Sequence, residues 1–305
     1  MLRKKDLLGL KDLSKEELER ILAHAAEMKS AFVARESLDN LKGKCVATLF
    51  YENSTRTKNS FETAARLLGA RTISISVATS SVKKGESLID TGRTLDALMT
   101  DVIVIRHSMA GTPALLAKNV RASVVNAGDG MNEHPTQSLL DLFTMKEKFG
   151  TIKGLKVVMV GDVRHSRVAR SNLWALGKLG AETAIVAPYT LIPKGIEELG
   201  CEVYTDFEDA AAGANVVMGL RIQLERQKIG LFPSISEYGE HFAVTEEKLA
   251  EICPDALVMH PGPVNRGVEI TSGVVDGESS LINEQVTNGV AVRMAVMDFL
   301  AGGER

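Results

Sequence analysis

Nine short runs of mostly apolar, β-branched residues recur along the chain, and helical stretches separate them. They are Cys45–Tyr51, Thr72–Ser76, Val102–Ile105, Ser123–Asn126, Lys156–Val160, Thr183–Ala187, Val203–Thr205, Val216–Gly219 and Leu257–Met259. Strands that alternate with helices pair in parallel, with the helices covering both faces of the sheet. The chain is therefore expected to be α/β. At 305 residues it reaches the upper limit for one hydrophobic core, so two domains are expected. A boundary suggests itself near Gly150-Thr151-Ile152-Lys153-Gly154, between a helix from about Pro135 to Phe149 and a strand beginning at Leu155. The last helix, around Glu284 to Leu300, is expected to return to the first domain. The expectation is two doubly wound domains, each a mainly parallel sheet flanked by helices, linked by interdomain helices: 1–149 plus 285–305, and 150–284. Before the first strand, Ser14 and Glu17 form a capping box, with Leu18, Ile21, Leu22, Ala25 and Met28 at helical spacing behind it.

A formal net charge of −3 exerts no overall pull on nucleic acid, membrane or anionic metabolites, so any anion site must be built from local arginines and lysines. Cys45, Cys201 and Cys253 are odd in number and widely spaced, which reads as reduced, buried thiols in a cytoplasmic protein. The apolar stretch Leu7-Leu8-Gly9-Leu10 is too short for a signal peptide, and no segment is long and apolar enough for a bilayer.

Several strand ends carry polar groups. Ser54-Thr55-Arg56-Thr57 lies where the first strand gives way to a helix. Backbone N–H groups and the positive end of the helix dipole favour an anion there, and the Arg56 fork matches phosphate oxygens. In isolation the same four residues read as an ordinary helix cap. Arg106 ends an apolar strand, where its duller reading is a salt bridge. His134-Pro135-Thr136-Gln137 opens a helix with Pro135 in its first turn. His134 there offers a donor to a carbonyl oxygen, and Gln137 faces an NH₂ group. No metal-spaced histidine or carboxylate accompanies His134, so no metal is expected. Ser80-Ser81-Val82-Lys83-Lys84-Gly85-Glu86-Ser87 reads either as mobile surface or as an arm that delivers a charge and a hydroxyl to an anion, with Gly85 as hinge.

In the second half, Val160-Gly161-Asp162-Val163-Arg164-His165-Ser166-Arg167 follows a strand but lacks the glycine pattern of a dinucleotide site. A nicotinamide-dependent oxidoreductase is disfavoured on that ground. Arg167, Arg221 and Gln223 together suit a small dicarboxylate. His260-Pro261-Gly262-Pro263 is a stiff turn that presents backbone carbonyls, since prolines lack N–H donors.

Taken in order and spacing, these motifs resemble the aspartate/ornithine transcarbamoylase family, over essentially the whole chain. The resemblance implies carbamoyl transfer from carbamoyl phosphate to L-aspartate in de novo pyrimidine biosynthesis, without a cofactor. It implies that Ser54, Thr55, Arg56 and Thr57 bind the phosphate, with Arg106 reaching both phosphate and carbonyl oxygen. Thr57 and His134 would also donate to that oxygen. Gln137 and the carbonyls of Pro261 and Gly262, next to Pro263, would hold the carbamoyl NH₂. Arg167, Arg221 and Gln223 would take the aspartate carboxylates. Family members are trimers, so Ser80 and Lys84 would act in the neighbouring subunit's site, Lys84 on phosphate and aspartate. A regulatory chain or a dihydroorotase partner stays open.

Two departures stand out. Lys58 replaces an arginine common in relatives, and His-Pro-Gly-Pro replaces the His-Cys-Leu-Pro of ornithine enzymes, which speaks against ornithine. The remaining rivals are a transcarbamylase for another amino acid and a noncatalytic assembly subunit. No expected catalytic position is replaced, which disfavours the latter.

Overall fold

The computed structural model describes residues 4–76, 85–222 and 234–302. The chain divides into two compact units, Met1–Phe143 with Thr287–Arg305, and Thr144–Val286. The first unit contains α1 (Lys15–Val33), β1 (Cys45–Phe50), α2 (Thr55–Leu67), β2 (Arg71–Ser76), α3 (Leu88–Ala97), β3 (Val102–His107), α4 (Thr112–Ala117) and β4 (Ser123–Asp129). The helix α5 (Pro135–Phe149) then carries the chain into the second unit. There follow β5 (Lys156–Gly161), α6 (Arg167–Leu179), β6 (Glu182–Val186), β7 (Glu202–Tyr204), α7 (Phe207–Ala211) and β8 (Val216–Leu220). Next come α8 (Ile235–Phe242), α9 (Glu246–Ile252), β9 (Leu257–Met259) and α10 (Ser272–Asp276). The last helix, α11 (Ile282–Met297), returns the chain to the first unit. Ser14 and Glu17 form the expected reciprocal capping box on α1.

Both sheets are parallel, ordered β2-β1-β3-β4 and β7-β6-β5-β8-β9. Every residue of β1, β4 and β8 is buried, which is why these strands read as continuous runs without polar alternation. In the first unit Ala47, Leu49, Ile103, Ile105 and Val124 pack with Leu95 of α3 and Leu116 of α4. In the second, Val158, Val160, Val217 and Val258 pack with Phe207 of α7, Leu249 of α9 and Val274 of α10.

Strand order locates the crevices. In an open α/β sheet a ligand sits beyond the carboxyl ends of the strands, where the order reverses direction. In the first unit that point lies between β1 and β3, and in the second between β5 and β8.

Two strands run past their expected ends. β3 continues through Arg106 and His107, because Arg106 pairs with Phe50 and its carbonyl accepts from the Tyr51 N–H at 2.8 Å. β4 continues through Gly128 to Asp129, so those two residues belong to the strand and not to the loop expected there. The N-terminal segment also lies along β4. Leu7 bridges Val125, and Asn126 donates from its backbone to the Leu7 carbonyl at 2.9 Å and from its side chain to the Leu8 carbonyl at 2.8 Å.

The end of the chain is fastened to α1. His24 sits between Glu27 Oε2 and Asp298 Oδ2, each 2.7 Å from a ring nitrogen, and Asn40 donates to the same Asp298 oxygen at 3.0 Å. Asp298 opens a short π-helical turn, Asp298–Gly302. The hydrogen bond to Asp298, followed by that to Glu27, raises the His24 pKa above its ordinary value. A raised pKa in the folded state gives stability that is complete below the unfolded value of about 6.5 and is lost as pH rises through the folded value. His24→Gln is therefore expected to cost up to about 1 kcal/mol near pH 6 and less at about pH 8.5, where more of the imidazole is neutral. Urea titrations of both proteins at the two pH values check this, and an equal cost at both contradicts it.

Among the described residues, no helix is long and apolar enough to cross a membrane.

Candidate active site

At the first crevice, the chain leaves β1, turns through Glu52, Asn53 and Ser54, and enters α2 at Thr55. Ser54 occupies the N-cap position, but its side chain makes no capping hydrogen bond. This removes the plain cap reading of Ser54, since a capping hydroxyl points back at the helix N–H groups. The first turn of α2 carries no acid. Among the described residues, of the eight helices with seven or more residues, only α2, α5 and α6 share that property. These are the helices that begin with candidate residues. An acidic residue in a first turn satisfies the helix dipole internally, and its absence leaves that field to an external anion. Arg56 is exposed there, Thr55 is exposed and Thr57 is buried.

Arg106 reaches the same crevice from the neighbouring strand, opposite Phe50 in register. Between Ile105 and His107 the β3–β4 register slips, so that Ala127 and Gly128 oppose the single residue Arg106. The extra residue lies on β4, and the bulge contains the Ala127 carbonyl that the Arg106 side chain meets. The guanidinium donates from Nη1 to the Ala127 carbonyl at 3.3 Å, and its Nε lies 3.4 Å from Glu52 Oε2. The salt bridge expected of a purely structural arginine is thus present. It also holds the fork over the turn that leads into α2.

His134 and Gln137 follow β4. Asp129 is buried and organises this turn, accepting from the Asn126 side chain (2.8 Å), the Asn132 side chain (3.1 Å) and the backbone N–H of Gly111 (2.8 Å) and Glu133 (3.2 Å). Glu133 accepts from the Leu10 N–H at 2.7 Å, so the N-terminal segment pins the residue before His134. Pro135 is the first helical residue of α5, as expected. His134 is 4% and Gln137 7% exposed, and the His134 carbonyl accepts from the Gln137 N–H at 3.0 Å, closing the first helical turn.

At the second crevice, β5 ends in Gly161, whose φ of +128° and whose approach to the Leu220 carbonyl (2.7 Å from an added Cβ) exclude a side chain. Asp162 is fully buried and accepts from the His165 backbone at 3.2 Å and from its ring Nδ1 at 2.8 Å. Ser166 caps α6 and places Arg167 at its first residue, 7% exposed. Arg221 directly follows β8 and is partly exposed. Two arginines therefore stand at the ends of the two strands that flank this crevice.

The turn after β9 is held by Glu269, which is 1% exposed. Its carboxylate accepts from the Asn265 N–H at 2.6 Å and the Asn265 side chain at 3.2 Å, and it lies 3.3 Å from His260 Nε2. The Gly262 N–H donates to His260 Nδ1 at 2.8 Å, which puts the ring proton on Nε2, toward Glu269. Asn265 also donates to the Ile222 carbonyl at 3.3 Å, tying this turn to the segment that carries Arg221. Pro261 and Gly262 are partly exposed, Pro263 is exposed, and the Gly262–Pro263 peptide bond is cis.

Ser80, Lys84 and Gln223 lie outside the described residues. Of the remaining candidates, Ser54, Thr55, Arg56, Thr57 and Arg106 gather at the first crevice, with His134 and Gln137 on the next strand's exit. Arg167, Arg221 and the Pro261–Pro263 turn belong to the second unit. Sequence reasoning missed the buried acids Asp129, Asp141, Asp162 and Glu269 that position these groups. Asp141 carried a readable signal, its i+4 spacing from Gln137. Glu269 carried none, because its partners His260 and Asn265 lie with it in an irregular stretch that shows no helical or strand spacing.

Comparison with known proteins agrees with this division. Residues 5–147 match the family model described as aspartate/ornithine carbamoyltransferase, carbamoyl-P binding domain, and residues 153–300 match its Asp/Orn binding domain. The chain is 60% identical over 304 residues to the aspartate carbamoyltransferase catalytic subunit of Moorella thermoacetica, covering 99% of both chains. It superposes on the catalytic subunit of M. jannaschii aspartate transcarbamoylase with a TM-score of 0.86 at 37% identity, covering 97% of this chain and 98% of that one. Aspartate transcarbamoylase from Trypanosoma cruzi, in complex with N-(phosphonacetyl)-L-aspartic acid, gives 0.89 at 28% identity, covering 97% and 96%. With anion-favouring helix starts at both crevices and relatives matched from end to end, the chain belongs to the aspartate/ornithine carbamoyltransferase family.

Proposed function

We propose that this chain transfers the carbamoyl group of carbamoyl phosphate to the amine of L-aspartate, giving N-carbamoyl-L-aspartate and phosphate, a step of de novo pyrimidine biosynthesis. The observation that carries this reading is the first crevice, where an acid-free helix start without a side-chain cap meets Arg106 across the strand switch point. The aspartate names of the relatives support the choice of acceptor.

On this reading the first unit binds carbamoyl phosphate and the second binds aspartate. Ser54, Thr55, Arg56 and Thr57 take the phosphate, joined by Ser80 and Lys84. The aspartate amine attacks the carbamoyl carbon, and the tetrahedral intermediate develops negative charge on its oxygen. Thr57, Arg106 and His134 donate to that oxygen. The C–O bond to phosphate then breaks, the departing phosphate takes the proton from the amine nitrogen, and Arg56, Arg106 and Lys84 hold the leaving charge. Gln137 and the carbonyls of Pro261 and Gly262, in the turn closed by Pro263, accept from the carbamoyl NH₂. Arg167, Arg221, Gln223 and Lys84 hold the aspartate carboxylates. Two anions must be brought together, so cationic positioning supplies much of the rate enhancement.

Assembly as a homotrimer, with Ser80 and Lys84 entering the neighbouring site, belongs to the same proposal. So does a cytoplasmic location, which suits three buried free thiols. The test is product formation by the purified chain. Carbamoyl-aspartate is expected at a rate that saturates in both substrates, and a folded chain that forms none refutes the reading.

A further inference from the structure

Next to Gln137 lie a buried acid and a buried arginine. Gln137 Nε2 donates to Asp141 Oδ1 at 2.9 Å, one helical turn on along α5. Asp141 is fully buried. Arg293 of α11, itself 4% exposed, interacts electrostatically with it. Burial lowers the Arg293 pKa to about 10, while the Asp141 carboxylate opposes that fall. Arg293 Nη1 also donates to Ser60 Oγ of α2 at 2.8 Å, and its guanidinium carbon stands 5.0 Å from the centre of the Phe61 ring. Arg293 therefore joins the helix that starts with Ser54–Thr57 to the helix that starts with His134–Gln137. Space for it depends on Gly289, where an added Cβ would lie 2.4 Å from Nη1 and 3.2 Å from the Leu140 side chain.

An amide is symmetrical in shape and opposite in chemistry at its two ends. An ionised carboxylate only accepts, so it admits only the NH₂ end of a glutamine. The bond from Gln137 to Asp141 thereby turns Oε1, an acceptor, to the other side. An acceptor there suits a ligand NH₂, whereas the reversed amide would set NH₂ against NH₂.

We propose that the buried Asp141 carboxylate is a positioning residue that fixes the amide orientation of Gln137 and so makes the site select a carbamoyl group by its NH₂. This inference rests on the carbamoyl-transfer reading of Gln137. Asp141→Asn keeps the shape but supplies an NH₂ of its own, which lets the Gln137 amide reverse.

The test compares the KM for carbamoyl phosphate with the inhibition constant of inorganic phosphate, which has no carbamoyl group to recognise. Both are measured at saturating aspartate for the wild type, Gln137→Ala and Asp141→Asn. Asp141→Asn is expected to raise the KM roughly tenfold while the phosphate constant stays within about twofold, and Gln137→Ala to do at least as much. If the single variant does not fold because Arg293 is left buried without an acid, Asp141→Asn/Arg293→Met removes both charges and is expected to show the same change in ratio. An unchanged ratio in the Asp141 variants beside a shifted ratio in Gln137→Ala overturns the proposal. Parallel rises in KM and phosphate constant also overturn it, since they mark a general loss of the site. An unchanged ratio in Gln137→Ala overturns the role of Gln137 itself, and the inference with it.

Discussion

Arg106→Ala is expected to lower kcat/KM for carbamoyl phosphate by about 10³-fold or more, the largest loss of any single substitution discussed. One donor to a developing oxyanion is typically worth roughly 10²–10³ in rate, and Arg106 is assigned a charged contact to phosphate as well. Its placement makes the loss hard to compensate. The strand register sets it opposite Phe50, and Glu52 and the Ala127 carbonyl on the β4 bulge hold its fork. Arg106→Lys keeps the charge but loses the planar fork, and is expected to recover only a small part of the activity. The fold tolerates both changes: the Arg106–Glu52 pair is partly solvated, with side chains 16% and 20% exposed, so its removal costs about 1 kcal/mol or less. Steady-state kinetics with a thermal melt of each variant measures both effects. A kcat/KM within about tenfold of wild type contradicts the assignment.

The second large effect concerns the acceptor. Arg167→Ala is expected to raise the KM for aspartate by roughly 10²-fold, because a nearly buried guanidinium paired with a carboxylate is worth about 2–5 kcal/mol when one partner is truncated. The phosphate inhibition constant is expected to change little, since the two substrates are assigned to different units. Arg167 owes its position to three local devices: Gly161 lets β5 end against the β8 backbone, Asp162 holds the His165 turn, and Ser166 caps α6. Equal losses for both substrates in Arg167→Ala contradict a role confined to aspartate.

How much of this was legible in the sequence follows from the range of the interactions involved. All nine strands among the described residues were readable: β1 and β8, buried along their whole length, show as mostly apolar runs, while the partly exposed β2 and β7 show through their β-branched residues. Their ends were less so. Arg106 and Gly128 lie just past the apolar runs, yet pairing with β1 carries β3 through Arg106 and pairing of Asp129 with His107 carries β4 past Gly128, so tertiary hydrogen bonds outweigh local preference. The polar residues at strand exits were visible because each sits beside a turn or helix start with its own local signature. Their supports were not. Glu269 meets His260, Asn265 and, through Asn265, the Ile222 carbonyl, and Arg293 meets Ser60 more than two hundred positions away in sequence. Nothing local marks the Arg293 pair, and the four-residue spacing of Asn265 and Glu269 falls in a non-helical stretch where it carries no signal. The N-terminal segment shows the same limit: Leu7-Leu8-Gly9-Leu10 looked only like an aborted leader, while in the fold it lines β4 and its Leu10 N–H holds Glu133 beside His134.

The most direct test of carbamoyl transfer to aspartate is a competition assay. The purified chain receives carbamoyl phosphate labelled at its carbonyl carbon, with L-aspartate and L-ornithine at equal concentration, and the products are resolved by carbon NMR. Carbamoyl-aspartate as the sole labelled product, with phosphate released in equal amount, is the predicted result. Carbamoyl-ornithine as the main product, or no carbamoyl transfer from a folded chain, would contradict the account.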